Sequence, residues 1–303
     1  MIYTVTLNPA LDYFVAAPSI QVGSLNRATS DQKEPGGKGI NVSTVLTSLQ
    51  ASNVALGFIG GFTGEFIQSS LKQRGVRTDF IRIKEDTRLN VKVKSEVETE
   101  INGVSPTITI SELNQLTDQL TQLTKQDIVV LSGSVPSALE PEIYQKWIAT
   151  LRKREVNVFL DTSGLPLTYA IQEKPTFIKP NHHELSELVG QEIHSIEDAI
   201  APAKRLVEQG IQYVMVTFAG DGALLVSENV TLLATAPTGQ LINSIGAGDS
   251  TVAGFIYGYQ KNWSLHDCFQ FAIASGSATA FSANLAQKQD IESLLEKTYI
   301  RQV

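Results

Sequence analysis

Cysteine is almost absent: Cys268 is the only one in 303 residues. No disulfide can form within the chain, and a reducing compartment is the simple inference. Cys268 sits in the apolar helical pattern LHDCFQFAIASGSATA, where a thiol packs as a small hydrophobe. Charge is sparse as well, at 18% of residues with a net charge of −7 and no basic run. That composition excludes nucleic acid or an anionic membrane as the main partner. Any anionic ligand must then be held by a local basic cluster. No apolar stretch approaches the ~20 residues of a membrane span. The opening MIYTVTLNPALDY is strand-like and has neither the basic lead nor the apolar core of a signal peptide. Internal repeats, low-complexity tracts and flexible linkers are missing too. The expectation is a cytoplasmic enzyme with no membrane and no nucleic-acid partner.

What is present is an alternation of strand and helix patterns. IYTVTL, NVALGFIGG, DIVVLSGS, NVFLDTSG and QYVMVTFAG read as strands, and TFIKPN as a shorter extended segment. KGINVSTVLTSLQ, GEFIQSSLKQRG and PEIYQKWIATLRKR have helical spacing between them. GALLVSENVTLLATA reads as a hairpin, and two helices start near Asp249 and Ser264. Such alternation predicts βαβ units and a mostly parallel sheet with helices on both faces. Residues 12–34 and 86–106 break the rhythm, and LNVKVKSEV alternates like a half-exposed strand. These segments are expected to form a small accessory sheet, a lid, inserted in a single α/β domain spanning 1–303.

Two glycine-rich segments carry chemistry. PGGKGINVS lacks the glycine spacing of a Walker loop, and GAGDST has Thr251 where a Rossmann fingerprint needs its third glycine. In the first, Gly36, Gly37 and Gly39 open a helix with Lys38 and Asn41 near its N-terminus, a place suited to phosphate or sugar oxygens. In the second, NSIGAGDST, the amides of Ala247, Gly248 and Asp249 are expected to face one anion-binding concavity. Phosphoryl transfer asks for such a nest and for one carboxylate to take a hydroxyl proton. The helix dipole is expected to lower the pKa of Asp249. His182 and His183 in NHHE lack a second pair with ligand spacing and are read as ordinary side chains. Asp161, at the end of FLDTSG, is left outside the core site.

These segments together resemble the ribokinase-like (PfkB-type) sugar kinases over essentially the whole chain. PGGKGINVS is similar to the family's first signature and NSIGAGDSTVAGF to its second, more specific one. KPNHHEL carries an Asn-x-x-Glu element at Asn181 and Glu184. TFAGDGALL occupies the place of the nucleotide-binding glycine segment, with Ala219 where many members have glycine. The resemblance implies a three-layer αβα sandwich with a small β-sheet lid, and an ATP- and Mg²⁺-dependent kinase. VTLNPALDY, DTRLNVKVK, ETEING and SGSVPS are most similar to members that phosphorylate fructose 1-phosphate at O6, with tagatose 6-phosphate as the alternative substrate. It further implies Asp249 as base and Gly246, Ala247 and Gly248 as the anion hole. Asp12, Gly37, Lys38, Asn41, Arg88, Asn90, Lys92 and Ser134 would contact the sugar phosphate. Asn181 and Glu184 would organise Mg²⁺ and phosphates, Glu184 through water. Thr217, Gly220 and Gly222 would flank the nucleotide, with Gly248 at its phosphates and Ser275 and Gly276 at the adenine. Lid strands of this family often pair between subunits, which implies a homodimer through the lid.

Overall fold

Unbroken runs of β-branched and aliphatic residues, such as IYTVT and IVVLS, suit strands covered on both faces. The computed structural model, which describes residues 1–303, places them so. In chain order the first elements are β1 (Ile2–Thr6), β2 (Ala10–Ala16), β3 (Ser30–Gly36), α1 (Lys38–Ser48), β4 (Asn53–Ile59) and α2 (Gly61–Gln73). Next come β5 (Arg77–Thr78), β6 (Ile81–Arg82), β7 (Leu89–Lys94), β8 (Thr99–Asn102), α3 (Ile110–Thr121), β9 (Ile128–Ser132), α4 (Ile143–Arg152) and β10 (Asn157–Asp161). They are followed by α5 (Gly164–Ala170), β11 (Phe177–Ile178), α6 (His182–Val189), α7 (Ile196–Glu208), β12 (Tyr213–Thr217), β13 (Ala223–Val226) and β14 (Thr231–Thr235). The chain closes with α8 (Ala247–Gln260), α9 (Leu265–Ala280), α10 (Lys288–Leu294) and β15 (Tyr299–Gln302).

The main sheet has eleven strands in the order β15-β14-β13-β12-β11-β10-β9-β1-β4-β5, with β6 also paired to β4. Pairing is parallel from β12 across to β5 and β6. It is antiparallel through the hairpin β13–β14 and the edge strand β15. Strand alternation sorts side chains into two cores. Val129 and Leu131 of β9 join the core that takes in α3 to α7, and Ile128 and Val130 join the one with α1, α8, α9 and α10. The two hold 35 and 29 buried residues, so both faces are covered and the fold is a three-layer α/β sandwich. Cys268 lies in the second core, where burial first and the Asp267 charge next push its thiol up to about 12. It is inert at neutral pH. No helix is long and apolar enough to cross a membrane.

A second, four-stranded sheet runs β3-β2-β7-β8. Its β2–β7 pair is parallel and its outer pairs antiparallel. Register places Asp12 beside Glu34 on one side and Asn90 on the other. Helices α3 and α7, which the sequence reading does not name, each begin at a capping box, Thr109 with Glu112 and Ser195 with Asp198.

Candidate active site

Three parallel neighbours, β1, β9 and β10, end in register at Thr6, Ser132 and Asp161. Ligands of open α/β sheets gather at such carboxyl ends. Thr6 Oγ1, Ser132 Oγ and Asp161 Oδ2 are all buried without a hydrogen-bond partner. Helix α1 lies directly on this row. A Cβ on Gly39 would stand 2.5 Å from Thr6 Oγ1 and 2.9 Å from Val5 O, so only glycine permits the approach. The close packing carries Lys38 and Asn41 over the strand ends. Lys38 Nζ reaches Asp161 Oδ1 at 3.0 Å, and Asn41 Nδ2 donates to Asp249 Oδ2 at 2.8 Å. Burial alone would lower the pKa of Lys38, but the charges of Asp161, Asp249 and Glu184 outweigh it and raise it, so this lysine stays cationic.

Asp249 occupies the first turn of α8, whose N-terminal cap is Gly246 with φ +80°. The Ala247 amide bonds weakly to Ser244 O at 3.3 Å, while those of Gly248 and Asp249 have no backbone acceptor. The anion cup therefore offers two free amides rather than the three expected. A cation completes it: a Cβ on Gly248 would stand 3.3 Å from Lys179 Nζ. Asp249 is buried, 6% exposed. Its pKa is pushed up to about 6, by burial first and the Asp161 charge second, against Lys38, Asn41 and Lys179. The expected lowering by the helix dipole is corrected here: the dipole acts within one turn, and removal of the carboxylate from water outweighs it.

The small sheet supplies the opposite wall. Asn90 Nδ2 donates to Asp12 Oδ1 at 2.8 Å, and Lys92 Nζ lies 3.5 Å from Asp12 Oδ2. A Cβ on Gly36 would fall 2.5 Å from that same oxygen, so the carboxylate rests on the glycine. Arg88 precedes β7 and donates from Nη2 to Asn8 O at 3.1 Å, while its Nε is buried without an acceptor. Asn8 Nδ2 in turn donates to Ser134 Oγ at 3.2 Å and to Ser105 Oγ at 2.9 Å. Asp12 thus gathers Asn90 and Lys92, and Asn8 gathers Arg88 and Ser134.

On the far side, a parallel bridge joins Asn181 to Thr217. Asn181 and Glu184 cap α6 reciprocally: the Glu184 amide donates to Asn181 Oδ1 at 2.9 Å and the Asn181 amide to Glu184 Oε2 at 2.8 Å. Gly222 has φ +109°, and a Cβ there would meet Ala234 O at 2.1 Å, whereas Gly220 faces open space. Ala219 adopts φ +49°, the left-handed region that costs a non-glycine residue about 1–2 kcal/mol. Ser275 and Gly276 depart from expectation. Ser275 is fully buried with its hydroxyl donated to Phe271 O at 2.7 Å, and a Cβ on Gly276 would meet Thr251 Oγ1 at 2.2 Å. Both are committed to the α8–α9 contact rather than to a pocket wall. His182 stacks on Phe218 with ring centroids 5.2 Å apart, and no cluster of His, Cys, Asp or Glu forms a metal cage.

Sequence reasoning passed over Lys179 and Asn8 and set Asp161 aside. The available signal was position, since each lies at or just beyond the carboxyl end of a parallel strand.

A model of the pfkB family carbohydrate kinases matches residues 5–291. A 1-phosphofructokinase of Bacillus subtilis is 47% identical over 300 residues, covering 99% of each chain. A D-tagatose-1-phosphate kinase of Bacillus licheniformis is 32% identical, again over 99% of each. Among solved structures, phosphofructokinase-2 from Escherichia coli in complex with substrates and products superposes with a TM-score of 0.93 at 30% identity, covering 97% of this chain and 98% of that one.

Proposed function

The chain belongs to the pfkB family of carbohydrate kinases, and on that premise we propose that it transfers the γ-phosphoryl group of ATP to O6 of fructose 1-phosphate, giving fructose 1,6-bisphosphate and ADP. The observation that carries the reading is the buried Asp249 beside two free helix amides and the Lys179 ammonium. Asp249 accepts the O6 proton as the O6–phosphorus bond forms and the bond to the ADP oxygen breaks. The Gly248 and Asp249 amides and Lys179 stabilise charge on the phosphoryl oxygens in transit. Asp12 and Asn90 orient the sugar hydroxyls. Arg88, with Lys92, holds the phosphate already on the sugar, and Arg88 suits it best because its planar fork binds phosphate in two places. The small sheet closes over the sugar and excludes water.

The nucleotide is assigned to the Thr217–Gly222 turn, with Asn181 and Glu184 toward its phosphates. The site fits Mg²⁺ of one kind only: it offers no protein-built cage, so the ion would be carried on phosphate oxygens and water, with Glu184 as an outer partner. Bound there it would neutralise phosphate charge.

Asp249 must be unprotonated to act. With its pKa pushed up to about 6, kcat/KM is expected to fall about tenfold per unit as pH drops below 6. A flat profile between about pH 7 and 5 would contradict the base.

A second reading, phosphorylation of tagatose 1-phosphate, is favoured by the Bacillus licheniformis relative over the tagatose 6-phosphate considered from the sequence. Association of two copies through the small sheet belongs to the same proposal, supported by exposed Val22, Leu25 and Ile101 on its strands and loops. Sedimentation should give twice the chain mass, and a single-chain mass would refute it.

A further inference from the structure

Asp161 ends β10 and is 1% exposed. Its Oδ1 receives two ammonium groups, Lys38 Nζ at 3.0 Å and Lys179 Nζ at 3.5 Å. Its Oδ2 is buried with no partner. The two lysines come from unrelated places, the start of α1 and the segment following β11. Lys179 borders Gly248 in the amide cup. Lys38 stands one turn before Asn41, which holds Asp249. A single carboxylate oxygen therefore ties together the cations on two flanks of the base.

We propose that Asp161 is a positioning residue for phosphoryl transfer, holding the ammonium groups of Lys38 and Lys179 at the point where the phosphoryl group crosses. The proposal rests on the kinase reading above and deepens it. Lysine chains are flexible, and confining them on folding rather than on binding removes an entropy cost from the reaction. Two cations against one anion leave one net positive charge facing the phosphoryl oxygens. Burial opposes ionisation of Asp161, yet Lys179 and then Lys38 hold its carboxyl below the usual range, so the arrangement persists at neutral pH. Its negative charge also acts on Asp249, which it makes more basic, while Lys38 and Lys179 act in the other sense. A buried carboxylate that only balanced charge in the interior would touch neither the base nor turnover.

The test compares wild type with Asp161→Asn, using ATP, Mg²⁺ and the ketose monophosphate that wild type turns over fastest. Wild type preferring another sugar counts against the substrate reading alone, whereas a variant that matches wild type on that sugar counts against the role of Asp161. The expected result is a loss of about 50-fold in kcat with KM values within about threefold. The acid limb of the rate profile should also move to lower pH, because Asp249 has lost a neighbouring anion. Lys179→Met keeps the test open should Asp161→Asn fail to fold: kcat should fall about 30-fold and the limb should move the other way. Three results would overturn the proposal: an unmoved limb, turnover within about threefold of wild type, or a loss that excess Mg²⁺ restores. The last would make Asp161 a metal ligand instead.

Discussion

Asp249→Asn is expected to lower kcat by about 10³-fold, within the range that one general base contributes. Asparagine cannot take the O6 proton, yet it keeps the size and the hydrogen bond from Asn41, since its amide can turn its oxygen toward Nδ2. KM for both substrates should stay within about threefold, because the loss falls on the transition state alone. Stability should move the other way. The folded-state pKa of about 6 lies above the ~3.9 of an unfolded aspartate. The folded chain therefore binds this proton more readily, and the ionised carboxylate opposes folding at neutral pH. That opposition is full above pH 6, shrinks as pH falls through 6 and is gone below about 4. Removing the charge should raise Tm by a few degrees at pH 7 and leave it unchanged at about pH 4. Steady-state kinetics and calorimetry on one preparation read both effects. Turnover near wild type would remove Asp249 from the chemistry, and a lower Tm at pH 7 would contradict the account of its burial.

Arg88→Ala is expected to lower kcat/KM for fructose 1-phosphate by about 100-fold, nearly all of it in KM. The guanidinium is held from one side by Asn8 O at 3.1 Å and keeps its buried Nε without a partner. That leaves donors free for a phosphate. Burial lowers its pKa and Asp12 opposes the shift, but an arginine remains charged at any working pH. Lys92 cannot replace it, since Asp12 at 3.5 Å and Glu100 at 3.8 Å already share its charge. Lysine at position 88 should recover part of the loss, because a point charge lacks the two-pronged geometry. Unphosphorylated fructose is the control, and its weak turnover should be unchanged. A loss of equal size for fructose and for its 1-phosphate would show that Arg88 supports the loop rather than the phosphate.

The parallel strands were legible because burial on both faces writes them as apolar runs, as in IVVLS and NVFLD. The small sheet was legible from the alternation of LNVKVK, though its burial runs against that pattern: Leu89 is exposed and Asn90 buried, because the polar face is turned toward Asp12. β5 and β6, of two residues each, carry no period to detect. The edge strand β15 is largely exposed and has no core pattern. The run of small residues at Ser275 and Gly276 suits a ligand wall and a helix contact equally, and only the packing of α9 on α8 decides between them. The pKa of Asp249 was misread for a related reason. The dipole of its own helix is local and visible in sequence, whereas its burial and the charge of Asp161 arrive from distant segments. The Lys38–Asp161–Lys179 group joins three elements with no shared motif, so no stretch of sequence announces it.

The central claim is tested most directly by identifying the product that the purified protein forms from ATP, Mg²⁺ and fructose 1-phosphate, by phosphorus NMR with ADP release measured in parallel. The account predicts one new phosphate ester at O6, equimolar with ADP, and a higher kcat/KM than with fructose 6-phosphate, tagatose 1-phosphate, tagatose 6-phosphate, ribose or adenosine. Faster turnover of an unphosphorylated acceptor, or no ADP release with any of these sugars, would contradict it.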